Sequence, residues 1–495
     1  MTNPLTKRRA GILLHITSLP NAGSVGDMGQ EAFHFVRFLH DTGVTVWQTL
    51  PLGITHADLS PYQSLSAHAG NPELIGIDWL CKQGWLRAAD LTENSKKKLL
   101  DKAHLGFLAQ ANNGDKQDFA KFCNTKAFWL EDFSLFMALR EQFQQQCWNQ
   151  WPDHYKDRDA KALREARRRL RPEIEATKFQ QYVFFRQWLE LKAHAAQHGV
   201  LMFGDIPIFV SYDSADVWAN RDVFKLDDNG EMLVVAGVPP DYFSETGQRW
   251  GNPHFNWHNL QKNGFLWWLD RLRTQLELFD ILRIDHFRGL EAAWEIPATE
   301  PTAINGQWVK APGKALLSAI KSALGDIPLV AEDLGIITKE VEELRDEFHL
   351  PGMKILQFAF GDGPDNPYLP SNYVTNCVAY TGTHDNDTML GWVNKLNDDD
   401  RRKIYDYLGH PQMPLHHALV HEALGSVANL AIIPMQDILE LGTEHRMNTP
   451  GTVAGNWTWR FYWDQVTPER SMRLKHQVAL FNRLEPQALN PTRPA

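Results

Sequence analysis

Eight short apolar runs, each stopped by polar residues, punctuate this chain: Ile12 to His15, Thr45 to Leu50, Val200 to Ile206, Phe279 to Asp285, Ile327 to Glu332, Met353 to Phe358, Cys377 to Thr381 and Leu430 to Asp437. A strand with one wet face alternates apolar and polar residues. A strand covered by helices on both faces does not, and runs of this kind are what a parallel sheet requires. Eight of them, separated by longer segments with helical spacing, predict an α/β fold of the closed (β/α)8, or TIM, barrel type. Asp205, Asp285, Glu332, Asp385 and Asp437 all fall at or just past the C-terminal ends of their runs, which is the catalytic face of such barrels.

The spacing between runs is uneven. About 150 residues separate the second run from the third, far more than one helix needs. Within them, Phe119 to Phe143 and Ala160 to His198 carry apolar residues every three or four positions. The chain therefore reads as one catalytic unit, 1–495, with a helical subdomain over 81–198 and a second excursion over 212–259. Part of that excursion, Val238 to Pro253, is rich in Gly, Pro and aromatics. It is expected to form neither regular strand nor helix but a lid, with Tyr242, Phe243 and Trp250 available to cover the barrel mouth.

Composition excludes several functions. At 495 residues, with 43% hydrophobic residues, 26 Phe and 18 Trp, the chain can fill a large core. A net charge of −10 argues against a nucleic-acid partner, because phosphate binding needs a basic face. The basic run Arg164 to Arg171 reads as the solvated side of a charged helix. The four cysteines, Cys81, Cys123, Cys147 and Cys377, have neither metal-ligand nor framework spacing, and imply reduced thiols in a cytoplasmic protein. The apolar stretch Ala10 to Leu14 is too short for a signal peptide, and no window of about 18 apolar residues offers a membrane span.

Three carboxylates stand in order in Leu282-Arg283-Ile284-Asp285-His286-Phe287-Arg288-Gly289, Leu329-Val330-Ala331-Glu332-Asp333-Leu334-Gly335 and Tyr380-Thr381-Gly382-Thr383-His384-Asp385-Asn386-Asp387. Paired carboxylates flanking an anomeric carbon can act as nucleophile and acid/base, and a third can hold sugar hydroxyls. Arg283, on the same strand face as Asp285, would keep that Asp charged. Negative charge from Asp285 and Asp385 would keep Glu332 protonated, while Asp333 would face the other side of the strand. His286 and Arg288 read as structural partners of the carboxylates, and Asp205 and Asp213 could shape the donor site. Metal-ligand spacing and phosphate-binding loops are lacking, and the chemistry needs no cofactor.

Gly11-Ile12-Leu13-Leu14-His15-Ile16-Thr17-Ser18-Leu19-Pro20, Trp47-Gln48-Thr49-Leu50-Pro51-Leu52-Gly53, Ser60-Pro61-Tyr62-Gln63-Ser64 and Pro239-Pro240-Asp241-Tyr242-Phe243-Ser244-Glu245-Thr246-Gly247-Gln248-Arg249-Trp250-Gly251-Asn252-Pro253 resemble the amylomaltases, or 4-α-glucanotransferases, of glycoside hydrolase family seventy-seven. The resemblance runs from Gly11 to Trp457. It implies a cytosolic enzyme that disproportionates malto-oligosaccharides and α-1,4-glucans on an amylase-type barrel. By the same resemblance Asp285 is the nucleophile, Glu332 the general acid/base, Asp385 the transition-state stabiliser and His384 a subsite histidine. Tyr62 resembles the aromatic platform at the cleavage point, and Asp241, Gln248, Trp250, Asp362 and Asn456 resemble glucan contacts. Two rivals share the barrel: a retaining hydrolase of the α-amylase type, and a catalytically silent glucan-binding protein. A lid carrying Tyr242 and Phe243 against an acceptor sugar would exclude water and favour transfer.

Overall fold

A computed structural model describes residues 3–21, 23–240, 244–452 and 454–484. Eight parallel strands form one sheet: β1 Arg9–Leu13, β2 Val46–Gln48, β3 Leu201–Ile206, β4 Ile281–Ile284, β5 Leu329–Ala331, β6 Gly352–Ile355, β7 Cys377–Tyr380 and β8 Leu430–Pro434. Each pairs with its sequence neighbour from β1 to β5 and from β6 to β8, and β8 pairs with β1. At the remaining seam, between β5 and β6, the Ala331 N–H donates to the Pro351 carbonyl at 2.9 Å, and the Asp333 carboxylate accepts the Met353 N–H at 2.7 Å. A side chain thus supplies part of the ladder that closes the barrel.

The residues pointing into the barrel change character along the strands. Val46, Phe203, Ile281, Val330, Val378 and Ile432 form a buried apolar plug. Two residues further along their strands stand Gln48, Asp205, Arg283, Glu332 and Tyr380, as the period of two requires. The Tyr380 hydroxyl crosses the interior to donate to Gln48 Oε1 at 3.0 Å. The plug rigidifies the strands, and the polar layer above it is the floor of the site.

Boundaries differ from the sequence reading at strand ends. Leu356–Phe358 forms a 3-10 turn rather than extending β6, and Met435–Ile438 is a helical turn after Pro434. The β6 to β7 connection contains only short 3-10 turns, so one of the seven connections between successive barrel strands lacks an α-helix.

Between β2 and β3 lie seven α-helices, the last being Arg171–Gln197, which buries Phe179, Val183, Phe184, Trp188 and Leu191 on one stripe. Gln181 and Gln187 on this helix each clamp a backbone position in the connection after β2, both donating to and accepting from Gly70 and Gly76 respectively, at 2.8–3.0 Å. The helix Ala160–Arg169 carries most of the basic run, and its Arg167 pairs with Asp132 at 3.1 Å.

The expectation of an irregular excursion is corrected. Val234–Val238 and Gln248–Pro253 are antiparallel strands, joined by Ala292–Pro297 and Gln307–Lys310 into a four-stranded sheet. Its Gly and Pro residues have places in that ladder: Pro253 stands opposite Val235 where the register slips, and Gly251 takes φ of 80°.

Candidate active site

Because the strands are parallel, their C-terminal ends open on one mouth, and the predicted carboxylates meet there. Asp205 on β3 lies directly beside Arg283 on β4 in register. The guanidinium bridges two carboxylates, donating to Asp205 at 2.5 Å and to Asp285 at 2.7 Å. Tyr62, from the loop after β2, donates its hydroxyl to the same Asp205 oxygen at 2.7 Å. Asp205 and Arg283 are buried and Asp285 is 29% exposed, so the network presents one carboxylate to the cavity.

The chain turns sharply after Asp285. His286 adopts φ 52° and ψ 50°, a left-handed conformation uncommon for a side chain of this size. The turn aims the His286 N–H at Glu332, whose Oε2 accepts it at 2.5 Å while Oε1 accepts the Leu334 N–H at 3.0 Å. Glu332 is held this way beside the residue that follows Asp285. Asp333 takes the other side of the strand, where Arg345 donates to it at 2.6 Å.

Asp385 lies on the loop after β7 with its side chain 47% exposed. Its Oδ1 accepts from Asn448 Nδ2 at 2.6 Å, its Oδ2 lies 3.4 Å from His384 Nε2, and Arg446 donates to its backbone carbonyl at 2.7 Å. Tyr62 stacks on His384 with centroids 5.2 Å apart, and Trp457 flanks both rings at about 6 Å.

These surroundings separate the three acids. Burial pushes Glu332 up to about 8, and Asp285 adds to the shift against Arg283 and the two N–H donors. Burial therefore leads over the charge repulsion expected from sequence. Asp285 is also raised by burial, but Arg283 and His384 restrain it to about 6. At Asp385 burial pulls upward and is outweighed by His384, Asn448 and Arg283, which hold it at about 2. Near neutrality the mouth holds two ionised carboxylates and one protonated carboxyl.

Other predicted residues fall into place unevenly. Trp250 stands edge-on to the His286 ring at 4.9 Å and donates its indole N–H to Gln248 at 3.1 Å, so both border the site through the small sheet. Asp362 is exposed on the loop after β6. Asn456 spends its carboxamide on its own loop, accepting from the Thr449 N–H and donating to the Thr452 carbonyl, both at 3.0 Å. Asp241, Tyr242 and Phe243 lie outside the described residues. Arg288 is not a carboxylate partner: it stacks on Trp308 at 3.5 Å and donates to the Ile336 carbonyl. Asp213 pairs with Arg140 of the inserted helices. Asp437 is a buried structural group, accepting from Thr381 at 2.6 Å and the Met389 N–H at 2.7 Å. Asn448 and Trp457 were not read from sequence, since neither lies near a strand end.

Away from the mouth, His416, His417 and Glu440 bring possible metal-ligand atoms together, but the Glu440 carboxylate is already paired with Arg470 and Arg473. Among the described residues no helix is long and apolar enough to cross a membrane.

A family model described as 4-alpha-glucanotransferase matches residues 14–465. The chain belongs to that family. A 4-alpha-glucanotransferase from Thermus thermophilus is 49% identical, covering 96% of this chain and 99% of its own length, and one from Synechocystis is 47% identical over 97% and 99%. The amylomaltase from Streptococcus agalactiae, solved with acarbose, superposes with a TM-score of 0.93 at 37% identity, covering 97% of this chain and 100% of that one. The activity of the chain is accordingly transglycosylation of glucan segments.

Proposed function

We propose that the transfer runs by retaining double displacement, with Asp285 as nucleophile, Glu332 as acid/base and Asp385 as the group that stabilises the charged sugar. An Asp285 oxygen attacks C1 of a glucosyl unit as the bond to the glycosidic oxygen breaks. The Glu332 proton passes to that oxygen, and the reducing-end fragment leaves. Glu332, now ionised, takes the proton of an acceptor 4-hydroxyl, whose oxygen attacks C1 and frees Asp285. The two steps need opposite protonation states in neighbouring carboxyls. The observation that carries the reading is the placement of Glu332 on the His286 N–H, beside an Asp285 that Arg283 holds toward the ionised form.

Asp385 reaches the sugar as a permanent anion, and a 2- or 3-hydroxyl can bond to it more strongly as positive charge develops at C1. Tyr62, tied to Asp205, offers a fixed ring for stacking. The acarbose bound by the streptococcal amylomaltase supports malto-oligosaccharides as donors and acceptors here. From sequence alone, Tyr242 and Phe243 are assigned to the acceptor side, where they would keep water off the ester. A cytoplasmic setting is supported by the four unpaired thiols.

The product ladder from maltotriose tests the reading. Longer oligosaccharides together with glucose mean transfer; glucose and maltose alone mean the hydrolase, and neither would mean a binding protein.

A further inference from the structure

We infer that Trp457 is a positioning residue for the transfer, holding the Tyr62 and His384 rings in the arrangement that the sugar at the cleavage point requires. The inference rests on the roles proposed above for Tyr62 and Asp385. The three rings form a triangle: Tyr62 and His384 stack at 5.2 Å with planes 19° apart, and Trp457 stands 6.0 Å from the first and 5.9 Å from the second, tilted by 50° and 40°.

These contacts matter most for His384. The torsion that turns an imidazole about its bond to Cβ has a broad minimum, so that bond alone does not decide where Nε2 points. Packing decides it, and the direction chosen is Asp385, whose Oδ2 lies 3.4 Å from Nε2. Tyr62 has a related need, because Asp205 anchors its hydroxyl and so fixes the far end of the ring without fixing the tilt of its plane. Trp457 supplies a rigid body behind the pair. It packs on its other side against the apolar cluster of the barrel interior, which includes Leu13, Tyr380 and Met447. A ring pair displaced by about 1 Å could still take up the sugar but would meet the charge developing at C1 in the wrong geometry, which costs rate more than affinity.

The backbone sets the indole there at a cost. Trp457 has φ of 65°, in the left-handed region that a bulky side chain rarely adopts. Strain of this kind persists where the surroundings over-determine it, and functional sites are where it gathers. The surroundings here are hydrogen bonds: the Trp457 N–H donates to the Met447 carbonyl at 2.7 Å, and the preceding Asn456 accepts the Thr449 N–H at 3.0 Å. A glycine would take this φ freely, as Gly455 does two residues earlier with φ of 82°. The contact of the ring with Tyr62 and His384 accounts for a tryptophan in its place.

Steady-state turnover of maltotriose by Trp457→Ala, Trp457→Gly and Trp457→Phe tests the role. Without the ring, the Ala and Gly proteins should lose roughly ten- to a hundredfold in kcat while KM moves less than about threefold, and Trp457→Phe, which restores an aromatic ring, should recover most of the loss. The Gly protein relaxes the left-handed backbone and the Ala protein does not. A loss caused by strain or misfolding would therefore differ between the two, whereas loss of the ring is common to both. Parental kcat in either of them would overturn the inference. So would an equal loss in Trp457→Phe, which would assign the effect to the fold of the loop, or a change confined to KM, which would make Trp457 a wall of the binding groove. If the parent formed no longer oligosaccharides from maltotriose, the proposed transfer would fall instead, and glucose release by the variants relative to the parent would still decide the role of Trp457.

Discussion

The carboxylate of Glu332 accepts the backbone N–H of His286 at 2.5 Å, and His286 is the residue that follows Asp285. The proposed acid and nucleophile are therefore registered through one peptide unit, which the left-handed turn at His286 points across the mouth. Any change in the β4 exit moves both groups together.

The protonation states make activity a function of pH. In the proposed roles Asp285 must be ionised, which favours pH above about 6, and Glu332 protonated, which favours pH below about 8. The pH profile of kcat/KM on maltotriose should be bell-shaped with its limbs near those values, each belonging to the coupled pair. A profile flat from about pH 5 to about pH 9 would contradict the two roles.

Glu332→Gln should be at least about a thousandfold slower on maltotriose, whose leaving oxygen needs a proton. It should still form the ester with α-glucosyl fluoride, whose leaving group does not. Mass spectrometry should find the sugar on Asp285. Finding it on another residue would reassign the nucleophile.

The same substitution should change how stability depends on pH, against a pH-independent cost, because both Glu332 oxygens accept backbone N–H groups and a carboxamide has a single acceptor oxygen. The carboxyl of Glu332 has a raised pKa, so between about 4.5 and about 8 the folded chain keeps a proton that the unfolded chain has lost. Stability contributed by this group is thus full below that window and falls as pH rises through it, by up to about 1.4 kcal/mol per pH unit. The melting temperature of Glu332→Gln relative to the parent should therefore rise by a few degrees from the acidic to the alkaline end of that window. An equal difference at both ends would remove ionisation as its cause.

Asn448 donates to Asp385 at 2.6 Å and its backbone N–H donates to the His384 carbonyl at 3.2 Å, so it positions the third acid. Asn448→Ala should lower kcat roughly ten- to hundredfold, the range for losing a hydrogen bond to a charged group. The melting temperature should hold, since Asp385 is open to solvent. An unchanged kcat would mean that His384 alone suffices.

Asn448 also marks the limit of what the residues announce. Barrel strands were legible because both faces are covered, leaving apolar runs whose polar ends are the site floor. Asp205, Asp285, Glu332 and Asp385 could be placed by that rule. Asp437 obeys it equally and yet is a structural acceptor for Thr381 and Met389, because a strand end specifies position and not what packs above it. Asn448 lies far along the chain from Asp385 on an irregular loop, where periodicity carries no information. The small antiparallel sheet escaped for a related reason: its Gly and Pro residues, which ordinarily mark loops, occupy a strand whose register slips.

The seam at β5 and β6 gives the dipeptide Glu332-Asp333 a double duty. One carboxylate is the proposed acid at the mouth; its neighbour accepts the Met353 N–H and helps to close the barrel, with so little room that a Cβ at Gly352 would lie 2.2 Å from Asp333 Oδ2. Because side chains alternate along an extended strand, adding or deleting one residue in β5 would exchange the two, turning the acid outward toward Arg345 and the closing carboxylate inward to the mouth. Length variation that the surface loops can absorb is therefore barred at this strand, where a shift of one position would cost the enzyme its proposed proton donor and its closed wall together.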